Sequence, residues 1–550
     1  MSSEPRRRAL VLGLDGASFD VIDPLIAAGR LPHLAAWRRA GAARPLASTV
    51  PPMSFPAWST FLTGLEPGGH GLFDFTERLP GAYRIRFVNA THRRGATLLG
   101  RASRAGRRVL ALGIPATFPP EPVDGLVVSG FDAPVSTGTD ARSASDPALY
   151  AAIAARAGHW KRPDLDESAT DEGFHERAAA TLCARVESKT RFALEALRQL
   201  GAAGRRPDLA AIVFAESDTV AHHYWRDHDP ASPRRDPHAS STRRGAVAAV
   251  YERLDAACGA LREAFGDDAL CVVISDHGSG GASHRVVHLN RRLAECGLLA
   301  RSRSGGRFEA AARAARALAL RALPPAVAEA AFRRARGTAA RLESAARFAG
   351  FDWPHTQAFS EEANTQPGVW INLQGREAEG CVAPGDYERA RGAVIDALLD
   401  WKLPGGGPVV ARARRREEVY RGPCVARAPD VVVELALDAG YGLCLVPTPW
   451  SDASCDPIRT LEGEALAGGR GRGTNGTHRP DGVWLATGSG SERLDLAAAP
   501  ALADVAPTLL RHLGVAWEGD LDGVSLLRAD YGPEDAARVE ARLRALGYLE

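Results

Sequence analysis

Three aspartates and three histidines stand where short apolar runs end. Asp15 follows Ala-Leu-Val-Leu-Gly-Leu. Asp218 follows Ala-Ile-Val-Phe-Ala-Glu-Ser, with His222 four residues on. Asp276 and His277 follow Cys-Val-Val-Ile-Ser, and His478 lies in a Gly-rich loop just before the run at Val483. Mixed Asp and His ligation suits zinc or a similar first-row ion. Six such ligands are too many for one tetrahedral site with an open position and about right for two. Singly, each has a plainer reading: an Asp after a strand caps a helix, and a lone His is structural. Only the joint pattern points to metal.

A nucleophile candidate lies in the hydroxyl-rich stretch from Ser48 to Gly64. Ser54 sits two residues before Pro56 and opens a helical pattern through Trp58–Leu62. A hydroxyl there meets backbone N–H donors and the positive end of the helix dipole, which hold a phosphate and favour an alkoxide. The same features describe an ordinary N-cap.

These residues need a scaffold that gathers chain ends. Apolar runs of three to eight residues alternate with longer helical patterns such as Phe174–Leu200 and Ala246–Phe265. The runs are Ala9–Leu14, Val109–Ile114, Leu126–Val128, Leu209–Phe214, Leu270–Ile274, Val369–Leu373, Val431–Leu435 and Val483–Ala486. Most are rich in β-branched residues, as buried parallel strands are. The alternation predicts an α/β fold: a central, mostly parallel sheet between helical layers. Ligands bind beyond the carboxyl ends of such strands, where the candidate residues fall.

One region breaks the rhythm. Residues 300–350 lack strand patterns, are rich in Ala and Arg, and carry Pro324–Pro325 in the middle. They read as an inserted helical cap, which divides the chain into 1–298, the insert 299–350, and 351–550. The insert's positive charge is first a solvated helical face; a basic lid over an anionic substrate and docking on a membrane surface are the other readings.

Composition excludes several classes. Lys plus Arg is 68 and Asp plus Glu is 66, so the chain is not built to coat a nucleic acid. Gly 56 and Pro 36 in 550 residues fall below the share that marks disorder. Eight scattered cysteines form no CxxC pair and read as reduced thiols. The first apolar run stops at Asp15, short of a signal peptide or a transmembrane segment. A cytoplasmic location is therefore expected.

In its motifs the sequence resembles the type I phosphodiesterase/nucleotide pyrophosphatase branch of the alkaline phosphatase superfamily. The pieces are Leu12-Gly-Leu-Asp-Gly-Ala17, Ser54-Phe-Pro-Ala-Trp-Ser-Thr-Phe-Leu-Thr-Gly64 and Glu66-Pro-Gly-Gly-His-Gly71. They continue with Asp218-Thr-Val-Ala-His222, Ser275-Asp-His-Gly278, Gly476-Thr-His-Arg-Pro-Asp-Gly482 and Asp504-Val-Ala-Pro-Thr-Leu-Leu510. Any one piece is weak, but seven in order along nearly the whole chain are specific. The resemblance implies an alkaline phosphatase-like fold with two divalent metal ions, Zn2+ first, with Mn2+ or another first-row ion as the alternative. It implies one ion held by Asp218, His222 and His478, and the other by Asp15, Asp276, His277 and the Ser54 oxygen. Two ions about 4 Å apart clamp an in-line displacement at phosphorus. Ser54 would attack as an alkoxide, forming a phosphoserine that water then cleaves.

Two departures qualify the carry-over. Nucleotide pyrophosphatases place an Asn after the His-Gly motif to hold a phosphoryl oxygen; by count that position here is Phe75. Nucleotide specificity is therefore not carried over. The sulfatase pattern needs an Arg after Ser54-Phe-Pro56, where this chain has Ala57-Trp58. A formylglycine sulfatase is disfavoured.

Arg285, Arg479, His284 and Phe75 are expected to contact substrate, the arginines through their forked donors. His223 is an alternative ligand by register slip, and His288 an alternative pocket residue. His70 is expected to shape the loop after the nucleophile helix, and Trp58 and Trp225 to pack, with an apolar wall for a leaving group as the alternative. The expected function is metal-dependent hydrolysis of a small-molecule phosphate ester, a diester on the strength of the resemblance. A phosphomonoesterase and a phosphoryl or phosphoglycerol-type transferase are alternatives on the same site. A non-catalytic binding protein is disfavoured by the full ligand set, and nucleic acid as the primary partner by the balanced charge.

Overall fold

The computed structural model describes residues 6–131, 141–161, 165, 173–302, 340–341, 343–344, 347–348, 350–362, 367–450, 455–468, 472–519, 521–528, 540, 542 and 544. Most of the predicted insert, 303–339, lies outside the described residues.

A seven-stranded sheet carries the site. In spatial order its strands are Ala42–Ala47, Asp481–Gly488, Leu270–Ile274, Ala9–Leu14, Leu209–Phe214, Val109–Leu112 and Gly125–Val128. All run in one direction except Asp481–Gly488, which pairs antiparallel with both neighbours. The sheet is therefore mostly parallel, as the alternation of runs and helices predicts.

The central strand shows why. All six residues of Ala9–Leu14 are buried, because helices cover both faces of a parallel sheet. Side chains alternate across it. Leu10, Leu12 and Leu14 enter one core with Phe192, Tyr251 and Leu254. Ala9 and Val11 enter the opposite core with Trp58, Trp484 and Leu509. The long helices Phe174–Ala202 and Ser241–Phe265 line the first face. The helices Ser54–Thr63 and Val505–His512 line the second.

Two of the apolar runs do something else. Val369–Leu373 and Val431–Leu435 read as parallel strands of the main sheet. Instead, Gly368–Ile371 and Val431–Leu435 pair antiparallel in a separate four-stranded sheet with Ala358–Phe359 and Val410–Arg415. This sheet has its own core, which includes Trp370, Val394, Leu398 and Val433. A short apolar run looks alike in either setting, because burial fixes its composition and pairing direction does not. A further sheet is built on the long strand Gly278–Val287, which pairs parallel with Tyr441–Leu445 and antiparallel with Ile458–Thr460 and Gly476–Arg479.

All eight cysteines are free thiols. Among the described residues no helix is long and apolar enough to cross a membrane.

Candidate metal centre

Three adjacent parallel strands end at one level. Leu14 pairs with Phe214 and Gly13 with Ile274. The next residues of the chain are therefore delivered side by side: Asp15, the helix Glu216–His228 bearing Asp218 and His222, and Asp276 with His277. The reversed strand supplies the rest. Trp484 pairs with Ile274, so Asp481–Gly488 enters the sheet at the edge where its neighbours leave. His478 lies just before that entry and pairs with Ser279 in the strand next door. Ser54 follows Ala42–Ala47, which leaves at the same edge, and is the first residue of its helix. That helix ends at Gly64, whose left-handed φ of 69° suits a residue without Cβ.

The side chains form two triads, each able to bring one ligand atom apiece within 4.8 Å of the others. One is Asp218, His222 and His478; the other is Asp15, Asp276 and His277. In the first, His222 Nε2 lies 3.2 Å from Asp218 Oδ2, and His478 Nε2 lies 3.5 Å from Asp218 Oδ1. In the second, His277 Nε2 lies 3.6 Å from Asp15 Oδ1 and 3.4 Å from Asp276 Oδ2. The two meet where the His277 and His478 rings stack, with centroids 3.8 Å apart.

Backbone carbonyls set the histidine tautomers. His222 Nδ1 faces Gly476 O at 2.8 Å, His478 Nδ1 faces Pro52 O at 2.8 Å, and His277 Nδ1 faces Gly278 O at 3.0 Å. A carbonyl only accepts, so each Nδ1 donates its proton there and each ring turns Nε2 into the cluster. Burial holds His277 neutral, with its pKa pushed down to about 3.

This donor set fits divalent cations. The Nε2 atoms of His222 and His478 both face the cluster, 3.1 Å apart, so one divalent cation can take both as ligands. Asp218 Oδ1 and Asp276 Oδ2 are buried and accept no hydrogen bond among the described residues. Burial and the charges of Asp276 and Asp218 push the Asp15 carboxyl well above its usual range. Burial, with Asp218 nearby, pushes Asp276 up to about 7. Ionised carboxylates packed this deeply require compensating positive charge.

Ser54 closes the second triad. Its Oγ lies 3.2 Å from Asp15 Oδ1 and 3.4 Å from His277 Nε2. Trp58, one helical turn on, donates Nε1–H to Asp15 Oδ2 at 2.9 Å and thereby turns Oδ1 toward Ser54. Trp58 thus orients a ligand as well as packing.

The remaining expected residues lie elsewhere. Arg285 commits its guanidinium to Asp438 at 2.8 Å. Arg479 donates to Gly281 O, His478 O and Thr477 Oγ1. His284 sits in the same strand as Arg285 and belongs to neither triad. His288 faces Val446 O, and His223 lies among Phe174, His175 and Tyr224. Phe75 packs on Phe55, the neighbour of Ser54, with ring centroids 4.5 Å apart. His70 accepts from Leu72 N–H and faces Thr60 Oγ1, fixing the loop after the nucleophile helix. Sequence reasoning missed the hydroxyls of Ser48, Ser217, Ser275 and Ser279, which bond the backbone of the ligand loops. The only sequence signal for three of them is adjacency to a ligand or its motif.

The sheet order and the paired triads define an alkaline phosphatase-like α/β fold. Residues 9–443 match the family model of type I phosphodiesterase / nucleotide pyrophosphatase, and the chain belongs to that family. Among solved structures, it is similar to phosphonoacetate hydrolase from Sinorhizobium meliloti 1021 in complex with phosphonoformate. That similarity has 16% identity and a TM-score of 0.50 over 93% of this chain and 96% of that one, and shows the shared fold. Another match is murine ectonucleotide pyrophosphatase / phosphodiesterase 5, an inactive form in complex with AMP. It has 14% identity and a TM-score of 0.46 over 95% of this chain and all of that one. No curated protein sequence matches the chain.

Proposed function

We propose that this protein is a two-metal hydrolase of phosphoric esters, with diesters as its preferred class, acting through a covalent phosphoserine at Ser54. The observation that carries the reading is the position of Ser54 Oγ, 3.2 Å from Asp15 and 3.4 Å from His277 at the edge of one triad, with the second triad alongside. Diester preference rests on membership of the phosphodiesterase family.

Asp15, Asp276 and His277 would hold one divalent ion and Asp218, His222 and His478 the other. When bound, such ions supply Lewis acidity toward phosphoryl and hydroxyl oxygens at neutral pH. The chain's own groups do the positioning. Trp58 fixes Asp15 so that its Oδ1 takes the hydrogen bond from Ser54 Oγ–H. As Oγ bonds to phosphorus, its proton passes to solvent water and the bond to the leaving alcohol breaks, the alcohol taking one proton back from solvent, so that the step transfers a single proton from Oγ to the alcohol. Water then cleaves the Oγ–phosphorus bond, restoring the serine hydroxyl and releasing the phosphate product. N–H groups in the first turn of Ser54–Thr63 favour the anionic phosphoryl group. The proposal extends to the division at 298 and 350, with 299–350 as an insert whose Phe348 is anchored in the core of the four-stranded sheet.

Metal content and turnover measured on one purified sample test this reading, with bis(p-nitrophenyl) phosphate and p-nitrophenyl phosphate as parallel substrates. The expected result is about two ions per chain, faster diester cleavage, and turnover that collapses in Ser54→Ala. Absence of both bound metal and Ser54-dependent turnover, even with added zinc or manganese, overturns it.

A further inference from the structure

The turn Asp15-Gly16-Ala17 lies between the two triads, and all six of its backbone polar groups are engaged. Asp15 N donates to Phe214 O at 2.9 Å, Gly16 N to Asp276 Oδ1 at 3.1 Å, and Ala17 N to Leu14 O at 3.0 Å. The three successive carbonyls each accept from a buried serine. Ser217 Oγ donates to Asp15 O at 2.6 Å, Ser279 Oγ to Gly16 O at 2.6 Å, and Ser275 Oγ to Ala17 O at 2.8 Å. These serines are at most 2% exposed. Buried backbone groups need partners, but here all three carbonyl partners are side chains from two other strand ends.

Ser217 differs from the other two. Ser275 and Ser279 flank Asp276 and His277, so they tie the turn to its own triad. Ser217 immediately precedes Asp218, so its hydroxyl ties one triad's helix to the main chain of a ligand in the other. The gap it spans has no slack. Gly16 has a left-handed φ of 64°, and a Cβ there would come within 2.8 Å of Asp218 Oδ1.

We propose that Ser217 is a positioning residue that fixes the separation of the two metal triads, so that both ions bind as a pair. The inference rests on the two-metal reading above. Without the hydroxyl, Asp15 O loses its buried donor, and the Asp218 helix is no longer tied to Asp15. The second ion is then expected to bind about 10- to 100-fold more weakly, the usual effect of losing a partner that orients a ligand.

The test is a titration of the metal-stripped full chain with Mn2+, followed by calorimetry and by the spin-coupled electron paramagnetic resonance signal of a manganese pair. Wild type is expected to bind two ions and show the pair signal. Ser217→Ala is expected to keep tight binding of one ion and lose most of the pair signal at the same metal concentration. Ser275→Ala separates positioning from general support. Its hydroxyl also accepts Val483 N–H, so this variant is expected to melt lower while the pair signal survives. If Ser217→Ala does not fold, Ser217→Cys fills the space with a poorer donor and is expected to weaken the pair in the same direction. A variant at 217 that binds two ions with wild-type affinity and full pair signal overturns this inference and leaves the two-metal reading standing. A wild-type protein that binds no pair overturns both.

Discussion

The two triads use the same residue types at different depths. The Asp15, Asp276 and His277 side chains are 0–1% exposed, whereas Asp218, His222 and His478 are 15–22% exposed. The deep triad comes from two strand ends inside the sheet and holds the serine. The shallow one is assembled from a helix and the short strand Gly476–Arg479, which bears His478 instead of the loop read from the sequence. On the two-metal proposal, depth separates two tasks. A buried group excludes water and keeps its charges strong, which suits the place where the nucleophile is activated. A half-exposed group leaves room for a water and a leaving group to pass. On this basis the two ions should differ in how readily they exchange.

Substitutions test that separation most directly. Ser54→Ala is expected to lower diester turnover by about four orders of magnitude or more, as removal of a covalent nucleophile does elsewhere. His277→Ala should match it even in excess metal, because the cavity it leaves is sealed from solvent. His222→Ala should be weaker and partly recoverable when zinc or manganese is added. Equal, unrescuable losses at both positions would remove the functional meaning of depth.

Chelation comes next. A strong chelator should strip the shallow ion first, leaving an inactive chain with one ion, and the deep ion only slowly. Metal counted against residual turnover over time checks this, and a single phase contradicts it.

A smaller effect follows pH. Asp276 is pushed up to about 7 by burial and the charge of Asp218, and Asp15 is raised by burial and the charges of Asp276 and Asp218. Without metal, these groups hold protons in the folded chain at pH values where the unfolded chain has lost them. The metal-stripped protein should therefore lose stability as pH rises from about 4 to about 7. Metal binding displaces those protons, so affinity should rise with pH by up to about tenfold per unit for each proton released. Thermal melts of the stripped and loaded forms should diverge across this window, and parallel curves would contradict the assignment.

The smallest effects are expected at Arg285→Ala and Arg479→Ala. Their guanidiniums bond Asp438 and backbone carbonyls, so kcat/KM should stay within about threefold of wild type, the scale of a small surface change.

The strand ends bearing Asp15, Asp218 and Asp276 were legible in the sequence because a fully buried parallel strand is a continuous apolar run with a polar residue where it emerges. Ser54 was legible from the helix that starts on it. The second sheet was not, since Val369 and Val431 sit in runs whose composition reports burial alone. The engagement of Arg285 depends on Asp438, 153 residues away, and no local spacing announces such a partner. The serine struts escaped for another reason: a serine beside a ligand looks like loop filler until its hydroxyl is seen pointing at a carbonyl.

The one reversed strand has a consequence for the order in which the centre is completed during synthesis. Five of its six ligands lie at or before His277, and the sixth arrives with His478, just ahead of Asp481–Gly488. At ribosomal speeds of about 5–20 residues per second, the roughly 200 intervening residues take about 10–40 seconds to emerge. For that interval the nascent chain already carries the serine and the complete deep triad but only two of the three shallow ligands. On the two-metal proposal, the nascent chain thus passes through a stage at which it can hold one ion and not yet a pair, and the late strand acts as the timer that ends it.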